Sequence, residues 1–147
     1  MKKYSPLLLA ASLTVLVACS KKEDPAVVVA TTDFVATING AKQVAPTTST
    51  ATGEFEGNYN ADTKKLTYVV TYRGITPTNA HIHTSPTGPG SNGSVSISFA
   101  SYTTSPIEGS TTLTPTQAAD LLGGKLYVNI HSAAFTTGEI RGDIRKK

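Results

Sequence analysis

One stretch of nine residues constrains this chain more than any other. From Lys65 to Arg73, Leu66, Tyr68, Val70 and Tyr72 alternate with Thr67, Val69, Thr71 and Arg73. Successive side chains of a strand point to opposite faces, so this period of two predicts a strand with one face in a core. Shorter runs of the same texture follow from Asp33 onward, separated by turn residues, which is the pattern of an all-β domain. Phe34–Asn39 is one, stopped by Asn39-Gly40. Gly53–Tyr59 is another, with Phe55, Gly57 and Tyr59 on one face and Glu54 and Glu56 on the other; the polar Asn60–Thr63 then breaks the chain before Lys65. Ser94–Ala100 alternates Val95, Ile97 and Phe99 with serines, and Glu139–Ile144 places Ile140 and Ile144 between Glu139, Arg141 and Asp143.

Between these runs, Thr111–Gly124 changes period. Thr114 is placed to cap a helix, Pro115 occupies its first position, and Gln117 lies three residues after the cap. Ala118, Ala119, Leu121 and Leu122 follow, then Gly123 as a stop. These signals predict a helix of about two turns. The expected fold is an all-β, antiparallel Greek-key β-sandwich of about eight strands with one short crossover helix. A partly closed barrel is the alternative. Core candidates are Phe34, Ile38, Phe55, Leu66, Tyr68, Val70, Ile82, Val95, Ile97, Phe99, Leu121, Val128, Ile130, Ile140 and Ile144.

The first 18 residues do not read as part of that domain. Lys2 and Lys3 precede the apolar Pro6–Val17, which is too short and wrongly flanked for a stable span and reads as a secretory signal. The only cysteine ends it, in Leu16-Val-Ala-Cys19, which resembles the lipobox of bacterial lipoproteins. That resemblance implies cleavage before Cys19 and acylation of it, and it accounts for an unpaired thiol in an exported protein. Residues 19–32 then read as the lipidated cysteine and a tether, with Val27–Val29 either in the tether or opening the first strand. Residues 33–147 form the domain.

The expected location is the bacterial cell envelope, lipid-anchored at Cys19, in the outer membrane facing periplasm or cell surface. Ser20 is not the aspartate associated with inner-membrane retention, and Lys21–Asp24 loosely resembles an export signal of surface lipoproteins. Of thirteen basic side chains, Lys2 and Lys3 leave with the signal, so eleven face ten acidic ones. No basic stripe remains, and nucleic acid is not an expected partner. With Cys19 acylated no disulfide is available, and a domain of about 115 residues must rest on its core.

Chemistry gathers around the histidines. His81 and His83 alternate with Ala80 and Ile82, and His131 ends Leu126-Tyr-Val-Asn-Ile-His131 opposite Val128 and Ile130. Each histidine thus lies on the polar side of a strand whose other side is apolar. Histidines two apart on a strand stand about 7 Å apart at the backbone, a span that two rings can close around one metal. His131 from a neighbouring strand would complete a three-nitrogen site for copper or zinc. Glu139 and Asp143 would orient the ligands, with Asn129 and Arg141 close by. The same residues, with Asn79, could instead form a hydrogen-bonded network that fixes register and pins the glycine-rich loop. Glu139 with Arg141 reads as a surface ion pair.

Four blocks in order resemble the CHRD domain, named from chordin and common in bacterial secreted proteins. They are Ala80-His-Ile-His83 with Gly88 to Gly93, Leu113-Thr-Pro-Thr-Gln117, Leu126–His131 and Gly138-Glu-Ile-Arg-Gly142. Thr84 stands where the pattern expects glycine. The resemblance implies a sandwich fold and an extracytoplasmic setting, and no activity. The His-x-His strand also resembles the copper-binding strand of copper-zinc superoxide dismutases, but three histidines are too few for a binuclear site, so a full dismutase is excluded. No serine stands in a nucleophile elbow, no Cys–His pair survives acylation, and Gly88–Gly93 precedes no helix that would cradle phosphate. Five tyrosines (Tyr59, Tyr68, Tyr72, Tyr102 and Tyr127) read as strand packing. The leading reading is therefore a non-catalytic binding or structural module anchored in the envelope. The alternative is a mononuclear copper or zinc site for metal capture or simple redox chemistry.

Overall fold

The computed structural model describes residues 30–147; the signal segment, Cys19 and residues 20–29 of the tether lie outside the described residues. Among the described residues nine strands, all paired antiparallel, form a curled, sandwich-like β fold. β1 (Thr31–Asn39), β2 (Thr52–Asn60) and β3 (Lys65–Arg73) form a meander, and β6 (Ile107–Thr112) flanks β3. The other half runs β5 (Val95–Ser98), β4 (Asn79–Thr84), β7 (Leu126–His131) and β8 (Ile140–Asp143). The halves join where Asn39 of β1 meets Arg141 of β8, and the two-residue β9 (Arg145–Lys146) returns to pair with β1. Helix α1 (Pro115–Leu122) carries the chain from β6 in one half to β7 in the other. None of the described helices is long and apolar enough to cross a membrane.

The elements follow from local chemistry. The alternation of β3 is realised with Leu66, Tyr68 and Val70 buried and Lys65, Thr67 and Thr71 exposed. In α1 the Thr114 hydroxyl accepts from the Gln117 N–H at 3.2 Å, and the Gln117 side chain accepts from the Thr114 N–H at 2.9 Å. This reciprocal box satisfies two donors that a helix start leaves unpaired. At the other end Gly123 closes the helix and Gly124 takes φ +67, a left-handed turn that suits a residue without Cβ.

One hydrophobic cluster fills the space between the halves and contains every expected core residue except Val95. Val95 is 48% exposed because β4 and β5 lose register between Ile82 and His83. Ile97 opposes Ile82, but Val95 rather than Ser96 opposes His83, so the bulge turns Val95 to the outer face. The sequence pattern does not mark β6 or β9 as strands. β6 carries Glu108, Gly109 and Ser110 at the edge of the sheet, and β9 consists of two exposed cations that are strand only through β1.

The helix gives a sharp test of this packing. Leu121 is fully buried while its neighbour Leu122 is 43% exposed. Leu121→Ala should cost about 2–5 kcal/mol in denaturant melts. Leu122→Ala should change stability by less than about 0.5 kcal/mol. Equal losses would mean that the helix packs through a different face.

Candidate metal centre

The site forms on the outer face of the β5-β4-β7-β8 half, behind the apolar core. β7 lies between β4 and β8, and its register sets Asn79 opposite His131, His81 opposite Asn129, and His83 opposite Tyr127. On the far side Asn129 opposes Arg141 and Tyr127 opposes Asp143. Residues directly opposite on antiparallel strands share a face. All three histidines therefore meet on the side away from Ile82, Val128 and Ile130.

One ring nitrogen from each of His81, His83 and His131 lies within 4.8 Å of the other two. The ring centroids are 5.4 Å apart for His81 and His83, 5.2 Å for His81 and His131, and 6.1 Å for His83 and His131. Two of the rings are held from behind. His83 Nδ1 stands 3.0 Å from the Gly93 carbonyl, and His131 Nδ1 stands 3.0 Å from the Thr136 carbonyl. A carbonyl only accepts, so each Nδ1 carries a proton, and in the neutral ring Nε2 is the nitrogen that keeps the lone pair. His83 Nε2, His131 Nε2 and His81 Nδ1 are buried with no hydrogen-bond partner. Buried polar atoms seldom remain unpaired, and one on each of three facing rings is an arrangement that an ion would satisfy. Tetrahedral bonds of about 2.0–2.1 Å place nitrogens roughly 3.3 Å apart, so small ring rotations close the set.

Burial lowers the pKa of His81, and the facing charges of His131 and His83 lower it further. Burial also lowers that of His83. The bond to Gly93 opposes this, while His131 and Arg141 add to it. Both rings are thus kept neutral, the form that binds a metal.

The expected orienting side chains share the face but do other work. Asn129 accepts from Gln43 Nε2 at 2.7 Å and donates to the Thr137 carbonyl at 3.3 Å. Glu139 accepts from the Ser49 hydroxyl at 2.6 Å, so it neither orients a histidine nor pairs with Arg141 at the surface. Arg141 is 0% exposed and donates through Nη2 to Asp143 at 2.8 Å and through Nη1 to Asn92 at 3.2 Å. Its guanidinium lies 3.5 Å from the centre of the Tyr127 ring, which is also stacked with His83 at 5.0 Å. The alternation of Leu126–His131 already put Tyr127 on the face of His131, a signal that strand packing alone had absorbed. The orienting carbonyls of Gly93 and Thr136 belong to loops and carry no side-chain signal. Gly93 is required where it stands, because a Cβ there would meet the Thr84 carbonyl carbon at 2.8 Å and its oxygen closer still. Thr84 itself continues β4 and donates to Asp120 of α1 at 2.8 Å.

A consequence for stability follows from the lowered pKa values. An unfolded histidine titrates near 6.5, whereas folded His81 and His83 resist protonation. Stability present above about pH 6.5 is therefore lost as pH falls through the lower folded values. Melting temperature of the metal-free domain should drop on acidification below about 6.5, and His81→Gln should flatten that drop. Identical pH profiles for wild type and variant would show that His81 does not contribute to the loss of stability in acid.

No match was found among curated proteins or among solved structures. The family model described as the CHRD domain matches residues 34–144, spanning β1 to the residue before β9 and enclosing all three histidines. On that match the chain belongs to the CHRD domain family.

Proposed function

We propose that this CHRD domain is an envelope-anchored metal-binding module that takes one copper or zinc ion through His81, His83 and His131. Family membership supports a binding or structural module, and the histidines supply what it can bind. One observation carries the reading: three buried, unpartnered ring nitrogens, one from each histidine, on rings whose ligand atoms meet within 4.8 Å. A structural network is present beside it, since Arg141 binds Asp143 and Asn92 and His83 binds the Gly93 carbonyl, but it leaves these three nitrogens unused. No histidine bonds Asn129, Glu139, Arg141 or Asp143, and the rings make no hydrogen bond to one another. Three nitrogens leave a coordination position open, which suits capture and release of the ion. The lipobox-like Leu16–Cys19 supports attachment by acyl chains at Cys19, with the bacterial envelope as the setting.

Elemental analysis of the purified domain should find close to one equivalent of copper or zinc. Added ion at a hundred times its dissociation constant should stabilise the fold by about 2.7 kcal/mol. That increment should vanish in His81→Ala and His131→Ala. Wild-type melts that superimpose in copper, zinc and EDTA would eliminate the site. For the anchor, Cys19→Ala or globomycin should block maturation; normal maturation with retention in the membrane fraction would refute acylation at Cys19.

A further inference from the structure

Among the described residues no carboxylate bonds a histidine of the cluster, and a buried cation stands beside it. The nearby carboxylates are engaged elsewhere: Asp143 with Arg141, Glu139 with Ser49, and Asp120 with Thr84. The ring N–H groups of His83 and His131 are given to neutral backbone carbonyls rather than to carboxylates. Arg141 is wholly buried and touches the Tyr127 ring, which is stacked with His83. Because β4 and β8 flank β7 on opposite sides, Tyr127 lies between the imidazole and the guanidinium. Asp143, which pairs with Arg141, is 28% exposed, so water screens the anion more than the cation.

Three neutral imidazoles bring no charge to offset that of an ion. A bound ion would therefore keep nearly its full charge, one unit for Cu(I) and two for Cu(II) or zinc. The cost of stripping water from an ion rises with the square of its charge, and the repulsion from Arg141 rises in proportion to it. Carboxylate partners behind the ligands, which raise their basicity and help hold a divalent ion, are missing here among the described residues. Both effects weigh against the divalent ions.

Resting on the metal-binding reading above, we propose that His81, His83 and His131 form a monovalent copper site, which the buried Arg141 biases toward Cu(I) and against Cu(II) and zinc.

The test measures dissociation constants for the three ions separately on the mature chain. Cu(I) is titrated anaerobically with ascorbate against bicinchoninate, and Cu(II) and zinc against chelators of known affinity. Cu(I) should bind at one equivalent and more tightly than either divalent ion. Arg141→Gln should narrow the ratio of the Cu(II) to Cu(I) dissociation constants by on the order of tenfold, while Arg141→Lys should preserve it. Asp143→Asn, which removes the compensating anion from a part-exposed position, should widen the ratio. It keeps the test decisive if the Arg141 variants fail to fold by circular dichroism. Tighter binding of zinc or Cu(II), or a ratio indifferent to Asp143→Asn and to a folded Arg141→Gln, would overturn the monovalent assignment alone. Failure of all three ions to bind would overturn the metal site itself.

Discussion

The antiparallel pairing of β4 with β7 is the constraint on which the rest of this structure depends. Side chains alternate with period two, so one residue of slippage would exchange the faces of a whole strand. With Ile82 opposite Val128 and Ala80 opposite Ile130, the inner face closes the core. The same register brings His81, His83 and His131 together on the outer face. Core and cluster are therefore specified by one alignment, and hydrophobic burial holds the polar residues in place.

Outside that pairing lies a second buried layer made of polar groups. Gln43 and the Thr137 carbonyl close over Asn129, and Asn92 and Asp143 close over Arg141. A charge removed from water is costly unless its donors are used. Arg141 uses Nε, Nη1 and Nη2 and lays its flat face on Tyr127, which itself hydrogen-bonds the backbone of Gly93. Removing the guanidinium would release the loop at Asn92 and loosen the ring stacked with His83. The glycine-rich loop is tied in by the same atoms, since the Gly93 carbonyl orients His83 while its N–H meets Tyr127.

What could be read from the sequence was local, and what could not was a property of pairs. The β3 alternation, the Thr114–Gln117 box and the shared face of His81 and His83 lie within short windows, and each has a mechanism of its own. Val95 shows the limit: its own strand alternates correctly, but a bulge against β4 turns it outward. Arg141 and Glu139 sit at positions that read as exposed, and only the covering segments around Gln43, Ser49 and Asn92 bury them. β9 is a strand because β1 offers it an edge. The three ligand candidates were legible; their neutral, carbonyl-held surroundings were not, because those come from loop backbone.

The cluster also has an order of assembly written into its connectivity. His81 and His83 leave the ribosome together, but the strand carrying His131 follows only after β5, β6 and α1. In the unfolded chain the first two amount to a loose bidentate pair, one of many that any polypeptide offers. The third nitrogen joins them only when β7 docks beside β4, closing a long loop that must first give up its conformational entropy. The meeting of the three rings is thus a late event that reports finished topology. A chain kept extended would hold the three rings apart, and only the folded domain would bring them within reach of one another.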